Sequence, residues 1–516
     1  MNPSKYSQTR RLFLQRSIAL GAAGILPLVY QMEAIAAAAA QNVDTRVDPK
    51  AGGASGQAVN LAAAAPNYKA LVCLFMYGGN DNANFIIPYD QAAYDKYALD
   101  RTNLSVARTG NPLDANINLR GLLPIGPLAS QGGRTLALHP NVGKKAPLNA
   151  GDFRSDGLPW LWDQGKLAVI ANTGPLAVPL TKTEYTNKTK ARPQNLFSHS
   201  DQQTTWMTSA ATGYSPTGVG GRIADLVDSM NVPPAGQPKI STCISIAGVN
   251  TYQVADVAPA YQISTSQPLA GLSPIAFYSY SNYTAINSAI NNAFTEQTTR
   301  PRGSYFEAQW GGMMNYSLQT VTAINNALTA NALPPTVTFR TTGNSLSSQL
   351  RMVAKLINAS AQLGTVRQIF FVQIGGFDVH GTEFHPQNNA NWNKISEAAY
   401  DFYQAMIGIN AANQVTLFSA SEFGRTLNSN GNGSDHGWGA HQFALGGAVN
   451  GGQMYGTFPT VALGSSDDIG RGSLLPTVST DQFHATLAKW FGLSDSELAL
   501  VLPNLTSFSP ATLGFV

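Results

Sequence analysis

A chain of 516 residues is long enough for one large domain or two medium ones, yet only 12% of it is Asp, Glu, Lys or Arg, about half the share in an average soluble domain. A net charge of +3 with no basic stripe argues against a nucleic-acid partner. Polarity rests instead on Asn, Gln, Ser and Thr beside 48 glycines. That composition suits an exported protein with many ordered loops, and it makes each acidic or histidine side chain informative.

The chain opens on "TRRLFLQ" (Thr9 to Gln15), an apolar stretch from Ile18 to Val29, and the small-residue run "AIAAAAAQ" (Ala34 to Gln41). A basic start, a short apolar middle and a small-residue cleavage zone make a secretory leader over residues 1–40. It is not a membrane span, which needs about 18 or more apolar residues. Paired arginines before Leu-Phe-Leu resemble the twin-arginine export signal, so a periplasmic or secreted protein, exported already folded, is expected. Residues 41–66 have no periodicity and read as a linker. The folded domain is then 67–516.

Within it, "LVCLFMY" (Leu71 to Tyr77) reads as a buried strand that ends in "GGNDN", and "QAAYDKYALD" as a short helix. "QGKLAVIANTG" (Gln164 to Gly174) is a second strand. "SLSSQLRMVAKLINASAQLG" (Ser345 to Gly364) places Leu346, Leu350, Val353 and Ile357 at helical spacing and ends on glycine. It feeds the apolar strand "RQIFFVQI", which ends in "GGFDVH". The helix "NWNKISEAAYDFYQAMIGI", the strand "QVTLFSASEFGR" and the capped helix "STDQFHATLAKWFG" follow. Strands alternating with helices, several of them uninterrupted apolar runs, predict an α/β fold: an αβα sandwich with a largely parallel sheet. Residues 215–340, richer in Pro, Ser, Asn and Tyr, read as a cap insertion or long loops. The two cysteines, Cys73 and Cys243, form no disulfide framework.

Ligands in open α/β sheets bind beyond the carboxyl ends of the strands. Three strand ends carry acidic groups: Asp81, Asp378 with His380, and Glu422. Each has a plain alternative, a cap or turn for Asp81 and a pair with Arg425 for Glu422. The loop "GNGSDHGWGAHQF" adds Asp435, His436 and His441 among glycines. Imidazole and carboxylate together suit one or two divalent metals, zinc or manganese before calcium or iron. "NLFSHSDQQTTW" offers Ser198 as a nucleophile, with His199 beside it as a second catalytic candidate, ahead of a short helix, where a serine also serves as an N-cap. Arg425 or Arg192 would bind an anionic group.

The stretches "GGNDNANFIIPYD", "LFSHSDQQTTW", "GGFDVHG", "SEFGRTLNSNGNGSDHGWGAHQFALGGAVNGG" and "RGSLLPTVSTDQFHATLAKWFG" together resemble the bacterial exported family called domain of unknown function 1501, a distant member of the alkaline phosphatase/sulfatase superfamily. The resemblance implies an alkaline-phosphatase-like sandwich with metals at the carboxyl edge of the sheet and hydrolysis of phosphate or sulfate esters. By chain order, Asp81 resembles the first metal aspartate, Ser198 the nucleophile, and Asp378 with His380 the ligands of one metal. Glu422 stands where an Asp-His pair is usual, with Phe423 in the histidine position. His441, or Asp435 with His436, would then supply the late ligands, and sulfatase cysteine chemistry is absent. The expected function is an exported metal-dependent hydrolase of small-molecule or glycan esters. The rival is a non-catalytic metal-binding protein with a protein or glycan partner.

Overall fold

The computed structural model describes residues 67–110, 121–143, 154–266, 284–300 and 303–516. The leader 1–40 and the linker 41–66 lie outside the described residues. Fourteen strands occur among those described, in chain order: β1 (Lys69–Met76), β2 (Ile86–Pro88), β3 (Leu123–Leu128), β4 (Arg134–Leu138), β5 (Leu167–Gly174), β6 (Cys243–Ser245), β7 (Ala260–Gln262), β8 (Arg367–Ile374), β9 (Val415–Ala420), β10 (Arg425–Ser429), β11 (Ser434–His436), β12 (Ala440–Leu445), β13 (Gln453–Tyr455) and β14 (Val478–Ser479). Nine form the central sheet in the order β13-β5-β12-β9-β1-β8-β6-β7, with β14 also on β5. Every pairing in it is parallel except those of β12, which runs against both β5 and β9.

β1 lies at the centre because every residue in it after Lys69 is apolar and buried. Ala70, Val72, Leu74 and Met76 project into one apolar layer, and Leu71, Cys73 and Phe75 into the other. Fully burying each larger side chain contributes about 1.5–3 kcal/mol. The first layer is covered by the helices Ser345–Asn358 and Phe384–Gly408, the second by Val219–Val227 and Thr480–Phe491. The sandwich with a largely parallel sheet is therefore observed.

Local differences from the sequence reading have local causes. The helix from Ser345 stops at Asn358, and hydrogen-bonded turns carry the chain on to Gly364. Residues 215–340 are not solely a cap. They supply the helix Val219–Val227 and the sheet strands β6 and β7 before the helices Thr284–Thr299 and Tyr305–Ala330. β6 and β7 are three residues each, too short to show a period in sequence. Cys73 and Cys243 are buried free thiols. Among the described residues, no helix is long and apolar enough to cross a membrane.

Candidate metal centre

The strands β9, β1 and β8 are neighbours and parallel, so their carboxyl ends emerge side by side at the middle of one sheet edge. β1 runs into Gly78, where φ is +112° and a Cβ would stand 2.4 Å from the Asp378 nitrogen. Only glycine lets these two strand ends close together. The Gly78 N–H donates to Glu422 Oε1 at 2.8 Å, which ties in the end of β9. The β10–β11 hairpin folds back over this edge with Arg425 opposite His436. It lies close against the Asp378–His380 loop because Gly433 has no side chain, and a Cβ there would be 2.5 Å from the Val379 carbonyl. The last arm is the N-terminus of the helix His199–Thr208.

These arms bring three imidazoles onto one carboxylate. Asp378 Oδ1 is 2.9 Å from His380 Nε2 and 3.4 Å from His436 Nε2, and Asp378 Oδ2 is 3.3 Å from His199 Nε2. His380 Nε2 and His436 Nε2 are 3.3 Å apart. Ligand atoms of His199, Asp378 and His436 all lie within 4.8 Å of one another.

Each Nδ1 is held from behind. His436 Nδ1 donates to the Phe197 carbonyl at 2.7 Å. His199 Nδ1 meets Glu422 Oε1 at 2.9 Å, and His380 Nδ1 meets Asp435 Oδ1 at 3.2 Å. A carbonyl only accepts, so His436 carries its proton on Nδ1 and turns the Nε2 lone pair inward. His199 and His380 have a carboxylate oxygen at each ring nitrogen, so a cation bound between the rings would select the same tautomer in them. Among the described residues, the buried His199 Nε2 has no hydrogen bond. Three ring nitrogens around one carboxylate fit a divalent cation, and three nitrogens with one oxygen suit zinc.

Electrostatics keeps the carboxylates of the group ionised. Burial raises the Asp378 carboxyl's affinity for a proton, but the Arg425 guanidinium, with His199 and His380, outweighs it and holds the group well below the carboxylate range. Glu422 is also lowered, because donation from His199, Gln203 and backbone amides overcomes its burial. The hydrogen bond to Glu422 in turn raises His199. His436 is lowered, first by burial and then by Arg425 and His199.

The remaining expected residues are placed differently. Arg425 is a strut rather than a free anion binder. It is 1% exposed, and its donors go to Asp378 Oδ1 and to the carbonyls of Gly78, Gly79 and Ser434. Glu422 and Asp435 stand behind histidines rather than in the group itself. His199 faces Asp378 with its Nε2, a ligand's position, where the sequence reading assigned it a catalytic role. Asp81 is not in the group, because its buried carboxylate is taken by Arg101 Nη2 at 2.9 and 3.0 Å. His441 is not in it either. It is buried in β12, accepts from the Asn172 nitrogen at 3.0 Å, stacks on Phe458, and is pushed down to about 3 by burial. Ser198 precedes the helix, and its Oγ donates to Asp201 Oδ2 at 2.5 Å. Arg192 lies over the Tyr185 ring, 5.1 Å from its centre.

Sequence reasoning missed two contributors. Phe423 stacks on His436 with ring centres 4.7 Å apart and packs on His199 at 4.8 Å, so it fixes both imidazoles. Arg471, at the rim, pairs with Asp435 Oδ2 at 2.6 Å. No spacing rule points to either, because one is apolar and the other is far along the chain.

No curated protein matches the chain. Among solved structures, one similar chain is a crystal structure of a mutant alkaline phosphatase PafA. The identity is 10% and the TM-score 0.20, over 70% of this chain and 64% of that one, less than two thirds of its length. The sequence pattern of a family described as "Protein of unknown function (DUF1501)" matches residues 68–502, and the chain belongs to that family.

Proposed function

We propose that the protein is an exported metal-dependent hydrolase of phosphate or sulfate esters, alkaline-phosphatase-like in design, with His199, Asp378, His380 and His436 holding its ion. One observation carries the reading: three imidazole Nε2 atoms converge on one carboxylate while every Nδ1 is held by an acceptor. The nitrogen-rich set favours zinc, then manganese, over calcium. A divalent ion bound there would supply Lewis acidity to an ester oxygen and to a water.

The chain's own residues prepare that chemistry. Asp378, Glu422 and Asp435 set against Arg425 and Arg471 leave a local charge of −3 + 2 = −1. A divalent cation makes it +1, which attracts anionic esters. Arg425 keeps Asp378 ionised and fixed, and Phe423 keeps two imidazoles from turning. Ser198 is the side-chain nucleophile of this reading, with Asp201 in position to accept its proton. The "TRRLFLQ" leader supports export by the twin-arginine route.

The test is to purify the mature chain without chelators and count metals by plasma mass spectrometry, beside the double variant Asp378→Ala/His436→Ala. Close to one zinc or manganese per chain, absent from the variant, is expected, together with chelator-sensitive release of phosphate or sulfate from ester substrates. A metal-free wild type after reconstitution would sink the reading.

A further inference from the structure

A pocket of about 470 Å³ opens beside the histidine group and is shared with it, because His380, His436 and Asp435 line its floor. Its other walls are Tyr185, Phe197, Ile469, Arg471 and Ser473. The volume lies in the range of small-ligand sites, and so does the mixture of apolar walls with few polar groups.

Three details indicate what the pocket takes. Phe197 leaves 44% of its surface in water, although its own carbonyl is fixed by His436, so its ring is held in the open by a rigid backbone. Tyr185 is likewise braced, between Trp438 at 5.7 Å and the Arg192 guanidinium. Two braced aromatic rings form a ready surface for another ring. Ser473 is 3% exposed and lines the pocket, and its buried Oγ has no hydrogen-bond partner among the described residues, a hydroxyl that a ligand's polar substituent would satisfy. Arg471 is 56% exposed, and among the described residues its one ion pair is with Asp435. An exposed pair of this kind is weak, so the guanidinium can turn to an incoming anion at little cost.

We infer that this pocket is the leaving-group subsite, and that the substrate is a phosphate or sulfate ester of a six-membered ring. The ring lies against Tyr185 and Phe197, Ser473 meets a polar substituent, and Arg471 binds the anionic group. The inference rests on the hydrolase reading, but it concerns different residues. An aryl ring and a pyranose both offer an apolar face of the required size, and the experiment separates them.

The probes are phenylphosphonate, a pyranosyl phosphonate and methylphosphonate, titrated calorimetrically into the mature chain with and without zinc. In the zinc-loaded protein one of the ring-bearing probes should bind about tenfold or more tightly than methylphosphonate, and which one identifies the ring. Tyr185→Ala/Phe197→Ala should abolish that preference. Arg471→Gln should weaken all three probes together, and Arg471→Lys should restore part of the loss. Equal binding of the three probes, or a preference that survives the double alanine variant, would overturn the subsite while leaving a zinc-dependent hydrolase intact. A ring preference in a protein that takes up no zinc would uphold the subsite and refute the metal reading instead.

Discussion

Glu422→Gln is the most direct probe of how the histidine group is built. The carboxylate is buried, accepts from His199 Nδ1 at 2.9 Å, Gln203 Nε2 at 3.1 Å and the Gly78 nitrogen at 2.8 Å, and does not itself face Asp378. Hydrogen bonds to charged groups contribute about 1.5–3 kcal/mol, roughly twice neutral ones. An isosteric amide that keeps its oxygen toward His199 should therefore lose about half of that. An amide that instead turns its NH₂ toward His199 would drive the imidazole proton onto Nε2 and remove a ligand. Between these limits zinc affinity should fall about 10–100-fold, or about 1.4–2.7 kcal/mol. Competition against a zinc-sensitive dye on metal-stripped protein measures it, with circular dichroism confirming the fold. Affinity within about twofold of wild type in a folded variant would refute the role of Glu422 in holding His199 and leave His199 as an ordinary half-buried histidine.

The other predictions use residues outside the group. Asp481 lies fully buried in the first turn of the helix Thr480–Phe491; among the described residues no other residue hydrogen-bonds its carboxyl oxygens, and burial raises it to about 7 against the pull of its own backbone N–H and Arg222. Against an unfolded value near 3.9, that is worth about 4 kcal/mol as a ceiling. The folded chain holds this proton more tightly, so its stabilising effect is full below about pH 4 and lost as pH rises through 7. Asp481→Asn should flatten the pH dependence and raise the urea midpoint at pH 8 more than at pH 5, less about 0.3–1 kcal/mol of helix-dipole interaction. Equal shifts at both pH values would show that the carboxyl titrates normally. Asp81→Ala should leave zinc stoichiometry unchanged while it lowers stability by about 3–5 kcal/mol, because it strands the buried Arg101 charge. Loss of zinc with unchanged stability would return Asp81 to the ligand set.

How much of this was readable in sequence depends on range. Apolar runs such as "IFFVQI" and "VTLFSA" give strands, and their flanking helices give the layers, because burial on both faces leaves a continuous apolar signature. The acidic ends Asp378 and Glu422 were readable for the same reason: a charge after such a run stands out. Which of them face one another was not readable. That depends on β9, β1 and β8 being neighbours, a matter of sheet order, and on the hairpin at Gly433 lying across the edge. Asp81 misleads because its spacing after β1 resembles a ligand's, while Arg101, twenty residues on, claims it. His441 misleads because the reversed β12 hides it beneath the edge that His436 overlooks.

β1 also sets a schedule. Its partners are Arg367–Ile374 and Val415–Ala420, so this strongly apolar strand emerges from the ribosome some 300 residues before its partners in the sheet. At about 5–20 residues per second, that is roughly 15–60 s of synthesis with "LVCLFM" uncovered. The centre of the sheet therefore closes only when nearly the whole polypeptide exists, and Glu422 and His436 come into being at the same moment. On the proposed metal reading, loading would be a late event, and a chain truncated anywhere before β9 would lack at least one neighbour of its core strand together with Glu422 and His436.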